Sequence, residues 1–245
     1  MSLLQASARQ AAILEKVAHR PWPLPVRPWL LAQTLEQVLL AHWRVEPDAL
    51  EPLLPNGTEP DVHDGSGWLS IVALRVAGVR LRGTLPAPFV SSFHQLNVRT
   101  YATSGGKPGI VFLGLDASSA LAAEVARRVY GLPFHRARID AAPGRFESAR
   151  VGAEGVAFSA VYRPHGPSHR ARPGSLEEFL VERYRLFTSD GRRADIHHLP
   201  WPLRGAEGAV ELATVSPVPL EGEPILQYTD RIDLLIWGLE RALGG

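Results

Sequence analysis

Phe93-His94-Gln95-Leu96-Asn97-Val98-Arg99-Thr100-Tyr101-Ala102-Thr103, then Ser104-Gly105-Gly106-Lys107-Pro108-Gly109 and an apolar run over 110–115, is the stretch on which the fold class turns. It reads as a strand, a glycine-rich hairpin turn and a returning strand. A strand places alternate residues on opposite faces, so Asn97, Arg99 and Tyr101 share one face and Leu96 and Val98 the other. Such a polar face either lines a cavity, where Arg99 holds a carboxylate through two parallel hydrogen bonds, or is solvated. The pattern alone leaves both open.

Further along, Asp116 and Ser118 are candidate N-caps for a helix running through Tyr130. Gly131-Leu132-Pro133 ends it, because Pro cannot continue a helix and Gly accepts a left-handed cap. Strands are expected at 134–140, 145–151 and 156–163, and a Pro, Gly, His and Arg-rich loop at 164–174. Ser175-Leu176-Glu177-Glu178 is a capping box that starts a short helix. Asp190-Gly191 marks a hairpin between 183–188 and 193–198. Residues 232–239 are apolar on both faces and fit a buried strand or a helix.

Upstream, Asp64-Gly65 is a turn before a strand over 68–82. Residues 31–44 fit either a helix or a strand, the latter with Leu35, Leu39, Ala41 and Trp43 on one face. Pro47-Asp48-Ala49-Leu50 reads as a first helical turn. Residues 3–18 carry loosely helical apolar spacing, and the prolines between Arg20 and Pro28 force an extended arm. The organisation expected is an N-terminal helix and arm over 1–34 and one domain over 35–245.

A chain of 245 residues with 45% apolar and 21% charged residues suits a globular domain with a sizeable core. Its 22 Gly and 21 Pro favour strands and turns over a helical bundle. The absence of cysteine excludes disulfides, thiolate metal sites and thiol nucleophiles, and favours a reducing compartment. No apolar run reaches the ~20 residues needed to span a bilayer, and the N-terminus does not read as a secretory signal. Cytoplasmic location is the expectation, with no membrane partner. A formal charge of +1 gives no global pull toward nucleic acid. The cationic side chains comprise 24 arginines and only two lysines, Lys16 and Lys107, so amine chemistry has two side chains to draw on.

Gly105-Gly106-Lys107-Pro108-Gly109 has no following helix and no Ser or Thr for magnesium, so it reads as a turn rather than a phosphate loop. His197-His198 suggests a metal ligand, with help from His94 or His135. Adjacent strand residues point to opposite faces, however, so they cannot easily share one ion. No metal or cofactor is expected. The arginines between Arg163 and Arg172 suit phosphate contacts or a solvated loop, and no aromatic interleaves them for stacking on bases.

Trp43-Arg44-Val45-Glu46-Pro47-Asp48-Ala49-Leu50 with Leu53-Leu54-Pro55 resembles the N-terminal signature of the YqjF-like proteins, a bacterial family. The resemblance continues through Leu96 to Tyr101, Gly106 to Gly109, Leu115 to Ser118 and Tyr130-Gly131-Leu132-Pro133-Phe134. It ends with Glu182 to Leu186 and His198-Leu199-Pro200-Trp201-Pro202-Leu203. That family is similar in fold to acetoacetate decarboxylase. The implied class is α+β, a mostly antiparallel curved sheet or barrel around a central cavity with a few flanking helices. By the same resemblance, 35–45 is a strand.

The decarboxylase forms a Schiff base on a lysine whose amine is kept unprotonated by a neighbouring lysine. The matching positions here are Phe134 and His135. The upstream glutamate of that enzyme falls near Phe93 or His94, and its substrate-binding arginine near Glu36. Imine chemistry is therefore not expected. The expectation is a small anionic or carbonyl-bearing molecule bound in the cavity. His135 is the candidate general acid or base, since imidazole titrates near neutrality. Asn97, Arg99, Tyr101 and His94 are the candidate ligand-binding residues. The alternative is a non-catalytic interaction protein whose barrel is filled by Phe112, Phe134, Phe158 and Trp201. Self-association is left open by the sequence.

Overall fold

The computed structural model describes residues 3–86 and 91–241. In chain order the elements are helix α1 (Leu3–Ala12), β1 (Leu31–Val45), α2 (Pro47–Leu50), β2 (Glu59–Pro60), β3 (Gly67–Leu81), β4 (Phe93–Ser104) and β5 (Lys107–Ala117). They continue with α3 (Ala120–Tyr130), β6 (Phe134–Ala142), β7 (Arg145–Arg150), β8 (Ala157–His169), α4 (Leu176–Val181), β9 (Arg185–Phe187), β10 (Arg192–His197), β11 (Leu203–Ala213), β12 (Ile225–Ile236) and β13 (Glu240–Arg241).

Among the described residues, all thirteen strands belong to one sheet. Pairing is antiparallel except where β5 meets β6 and β9. A wall of five strands, β12-β1-β3-β4-β5, is shared by two rolls. On one side β9 and β10 lead from β5 back to β12; on the other, β6, β7, β8 and β11 make the same return. The closing ladders β5–β9, β10–β12 and β11–β12 hold two residue pairs each. The result is a strongly curved sheet that does not close into a regular barrel.

Because both faces of the wall are covered, its strands carry two cores. Val38, Leu40, Val72, Leu74, Ile110 and Leu234 pack on the β9–β10 side. Leu39, Ala41, Trp43, Ile71, Phe146 and Phe158 pack on the β7–β8 side. Leu39, Leu40, Leu69 and Ile71 are wholly buried, and each such side chain stabilises the fold by about 1.5–3 kcal/mol relative to exposure.

A bulge in β1 decides which side chains face which core. The β1–β3 register slips between Glu36 and Leu39, with Gln37 at a φ of 52°. An extra residue reverses the parity of everything beyond it. Leu31, Gln33 and Leu35 therefore face the β9–β10 side, whereas Leu39, Ala41 and Trp43 face the other. The expectation that Leu35, Leu39, Ala41 and Trp43 share one face is corrected by this bulge.

Several local signals act as their residue types require. Gly105 and Gly106, at φ of 57° and 69°, make the two-residue β4–β5 turn. Ser175 Oγ accepts from Glu178 N at 3.3 Å, and Glu178 Oε2 accepts from Gly174 N at 2.6 Å. Gly131, at φ 62°, closes α3. The N-cap of α3 is Ser119, which accepts from Ala122 N at 3.2 Å, rather than Asp116 or Ser118. Asp116 is instead held in β5 by Arg150.

The 164–174 loop is shorter than expected, because β8 runs on to His169 against β11. Beyond Val161 the β7 partner has ended, so Pro164 and Pro167 sit where one edge of the strand needs no amide donor. The 232–239 run is strand through Ile236, buried on both faces between β1 and β10. The N-terminal helix ends at Ala12 and one 3-10 turn follows. Among the described residues no helix is long and apolar enough to cross a membrane.

Candidate functional site

The roll completed by β9 and β10 is not filled. It encloses a cavity of about 350 Å³, bounded by β1, β3, β4, β5, β12, helix α3 and the segment after β10. That volume lies in the range of small-molecule sites, about 300–1,000 Å³. Phe93, Phe112, Phe134, Leu115, Leu186 and Leu234 supply much of its wall. The rings of Phe112, Phe134 and Trp201 line the space without closing it, and Phe158 belongs to the other core.

Polar groups enter from few directions. β4 contributes Gln95, Asn97 and Arg99; β1 contributes Gln33; Arg183, His198 and Trp201 come from either side of the β9–β10 hairpin. Gln95 Nε2 donates to Asn97 Oδ1 at 2.5 Å. No aspartate or glutamate is among the lining residues. Both lysines are outside the lining: Lys16 follows α1, and Lys107 opens β5 on the surface.

Arg99 is anchored from behind. One of its terminal nitrogens donates to Leu180 O at 3.1 Å, and Tyr101 Oη donates to the same carbonyl at 3.0 Å. Since Tyr101 spends its proton there, Ser70 Oγ must donate to Tyr101 Oη (2.5 Å), and His42 Nδ1–H to Ser70 Oγ (2.6 Å). This relay fixes the tautomer of His42. Burial and the nearby Arg99 charge push His42 down to about 3, so its neutral form is the resident one.

Arg183 is almost fully buried, ion-paired with Asp61, and stacked over Phe179 at 4.2 Å and Tyr101 at 4.9 Å. Burial lowers its pKa from the usual guanidinium value, and Asp61 opposes the shift. His198 stacks on Tyr184 at 4.6 Å. Its two ring nitrogens face Leu199 O at 2.9 Å and Arg183 O at 3.1 Å, and burial lowers its pKa. Both nitrogens face backbone carbonyls, and the neutral ring donates to only one of them.

Three donors in this wall have no hydrogen-bond partner among the described residues: Arg99 Nε, Trp201 Nε1 and Tyr130 Oη. Burial pushes the Tyr130 phenol up to about 12, so it carries its proton at neutral pH. A buried polar group without a partner costs about 1–3 kcal/mol.

The sequence-derived candidates separate by strand parity. Asn97 and Arg99 line the cavity. Tyr101 lies on the same face one step deeper, buried, and holds Arg99 through Leu180 O. His94 falls on the opposite face, edge-on to Phe146 at 6.5 Å, and its pKa is lowered by burial and by Arg75. His135 alternates with Phe134 on β6, so when the phenyl enters the cavity the imidazole leaves it. His135 is exposed, near Arg150 and the buried Asp116, and its pKa is lowered first by burial and then by Arg150.

Tyr130, Arg183, His198 and Trp201 were missed as site residues. They lie in stretches quoted for the family resemblance, and the cavity is where those stretches converge. Among the described residues no cluster of His, Asp and Glu has metal-binding geometry. His197 turns away from His198, facing Ile13 O at 2.9 Å.

Residues 32–233 match the DUF2071 family, described as "Uncharacterized conserved protein (COG2071)". The chain is 35% identical over 239 residues to Uncharacterized protein YqjF of Bacillus subtilis (strain 168), covering 93% of this chain and 98% of that one. In fold it is similar to the enduracididine biosynthesis enzyme MppR complexed with pyruvate, with a TM-score of 0.59, 15% identity, and coverage of 90% and 92% of the two chains. It is likewise similar to acetoacetate decarboxylase from Legionella pneumophila, with a TM-score of 0.59, 14% identity, and coverage of 92% and 94%.

Proposed function

The chain belongs to the DUF2071 family, and on that premise we propose that it binds a small organic acid in the cavity between β4, α3 and the β9–β10 hairpin. The carboxylate is held by the Arg99 guanidinium, and the apolar body lies against Phe93, Phe112, Phe134 and Leu186. The observation that carries this reading is the Arg99 guanidinium in a mostly apolar cavity wall without carboxylates. At about 30 Å³ per water-sized group, 350 Å³ holds about a dozen non-hydrogen atoms, which sets the size of the ligand.

Supporting the acid, one structural neighbour is complexed with pyruvate, itself a carboxylate. Binding is non-covalent. The cavity wall offers Phe134 and no amine, so no group there condenses with a ketone. A role for His135 as acid or base would need a substrate on the outer face of β6, where Arg150 and Asp116 already engage each other at 2.9 Å.

Calorimetric titration with hexanoate and with hexanamide, an isostere without charge, tests the reading. The acid should bind at least tenfold more tightly, because a charge-assisted hydrogen bond contributes about 1.5–3 kcal/mol. Arg99→Met should abolish that preference. Equal affinity for acid and amide, or an unchanged preference in the variant, would contradict the proposal.

A further inference from the structure

A second cleft, of about 430 Å³, opens on the surface between the N-terminal arm, the β4–β5 turn and the β9–β10 hairpin. Its wall carries four cations, Arg27, Lys107, Arg185 and Arg193, against two carboxylates, Asp195 and Glu240. For a chain of formal charge +1 this is a local concentration of positive charge.

The carboxylates are already committed. Asp195 accepts from Trp22 Nε1 at 3.0 Å and is shared between Arg185 at 3.5 Å and Arg20 at 3.9 Å. Glu240 pairs with Arg27 at 2.7 Å. Among the described residues neither Lys107 nor Arg193 has a carboxylate within ion-pair distance. Arg185 is 5% exposed, yet its Nε has no hydrogen-bond partner, and Arg193 Nε is buried in the same condition.

Like charges gathered this closely repel, and a buried guanidinium nitrogen without an acceptor adds its desolvation cost. The side chains are nonetheless held in place. Arg185 lies over Trp22 at 5.3 Å and Lys107 approaches the same ring at 5.7 Å. The indole is pinned in turn by Asp195 and by its edge contact with Tyr184. Arg185 and Lys107 are therefore held against one ring, and the cleft carries more positive charge than Asp195 and Glu240 offset.

We propose that this cleft is a binding site for a small, multiply charged oxyanion, a phosphate or phosphate monoester, held by Arg185, Arg193 and Lys107. Guanidinium forks match tetrahedral oxyanions in pairs of hydrogen bonds, and the lysine adds a point charge. The site is separate from the organic-acid cavity and stands whether or not that cavity takes a carboxylate.

Calorimetric titrations with inorganic phosphate and with glycerol phosphate, at low and moderate salt, test it. Binding of either supports the proposal, and the tighter of the two identifies the source as free ion or phosphorylated metabolite. Arg193→Gln and Lys107→Gln break no ion pair and should keep the wild-type melting temperature while each weakens binding five- to tenfold, the effect of one unit charge at about 6 Å in a partly solvated site. Arg163→Gln, which removes an equal charge from a distant exposed pair with Glu207, should change nothing. No binding of either probe, or the same loss in all three variants, would overturn the proposal.

Discussion

Acidification from pH 7 to 5.5 should weaken the fold through buried histidines. His42 and His197 are both buried, with pKa values held down at about 3 and about 4. Burial is the leading cause for each, and Arg99 and Arg20 respectively add to it. The hydrogen bond to Arg20 demands a neutral His197, which accepts at Nδ1 (3.3 Å) while donating from Nε2 to Ile13 O (2.9 Å); His42, donating from Nδ1 to Ser70, is kept neutral by its burial and by Arg99. An unfolded histidine titrates near 6.5. Below that pH the unfolded chain takes up these two protons, which the folded chain refuses, and the lowered His198, His94 and His135 act in the same direction, so stability falls as pH falls. Between pH 7 and 5.5 each group contributes a loss of about 1 kcal/mol, and the two together about 2–3 kcal/mol. Urea unfolding followed by tryptophan fluorescence at the two pH values reads this as a lower midpoint at unchanged slope. His42→Gln should remove about 1 kcal/mol of the pH dependence. A midpoint that stays constant over this range, or a variant as acid-sensitive as the parent, would refute the assignment of both rings as neutral.

Tyr101→Phe cuts the relay that anchors Arg99 and should cost about 1–2 kcal/mol in urea unfolding, together with weaker hexanoate binding. Arg150→Met strips the partner from Asp116, which is 1% exposed; leaving that carboxylate buried alone should cost about 3–5 kcal/mol at pH 7. Burial already raises the Asp116 pKa in the folded protein, so the defect in this variant should shrink as pH is lowered toward the carboxylate range. His135→Ala, on the exposed face of β6, should leave hexanoate affinity and melting temperature unchanged within error.

Local chemistry made much of this architecture legible. Gly105-Gly106, Gly131 and the Ser175–Glu178 pair each require a particular backbone conformation, and each adopts it. The alternation in β4 placed Asn97, Arg99 and Tyr101 on one face, because no residue is inserted between them. In β1 an inserted residue at Gln37 reverses the parity, and nothing in its side chain announces a positive φ. His135 lies outside the cavity lining for a related reason. The strand that brings Phe134 inward must turn its neighbour outward, and alignment at a distance of one residue decides which is which. Tyr130, Arg183 and Trp201 reach the cavity from α3, from the end of α4 and from the segment after β10. No period within a single element reports a convergence of three, so these residues became visible only through the packing of the two rolls. The two cores themselves were hidden in the near-continuous burial of β1 and β3, which reads as apolar without saying that both faces are covered.

A crystal structure of the protein soaked with hexanoate tests the central claim most directly. The carboxylate should lie within 3.2 Å of the Arg99 guanidinium, with the alkyl chain against Phe112 and Phe134 and no covalent bond to any side chain. A ligand found elsewhere, or an acid group turned toward the mouth beside α3 and away from Arg99, would contradict it.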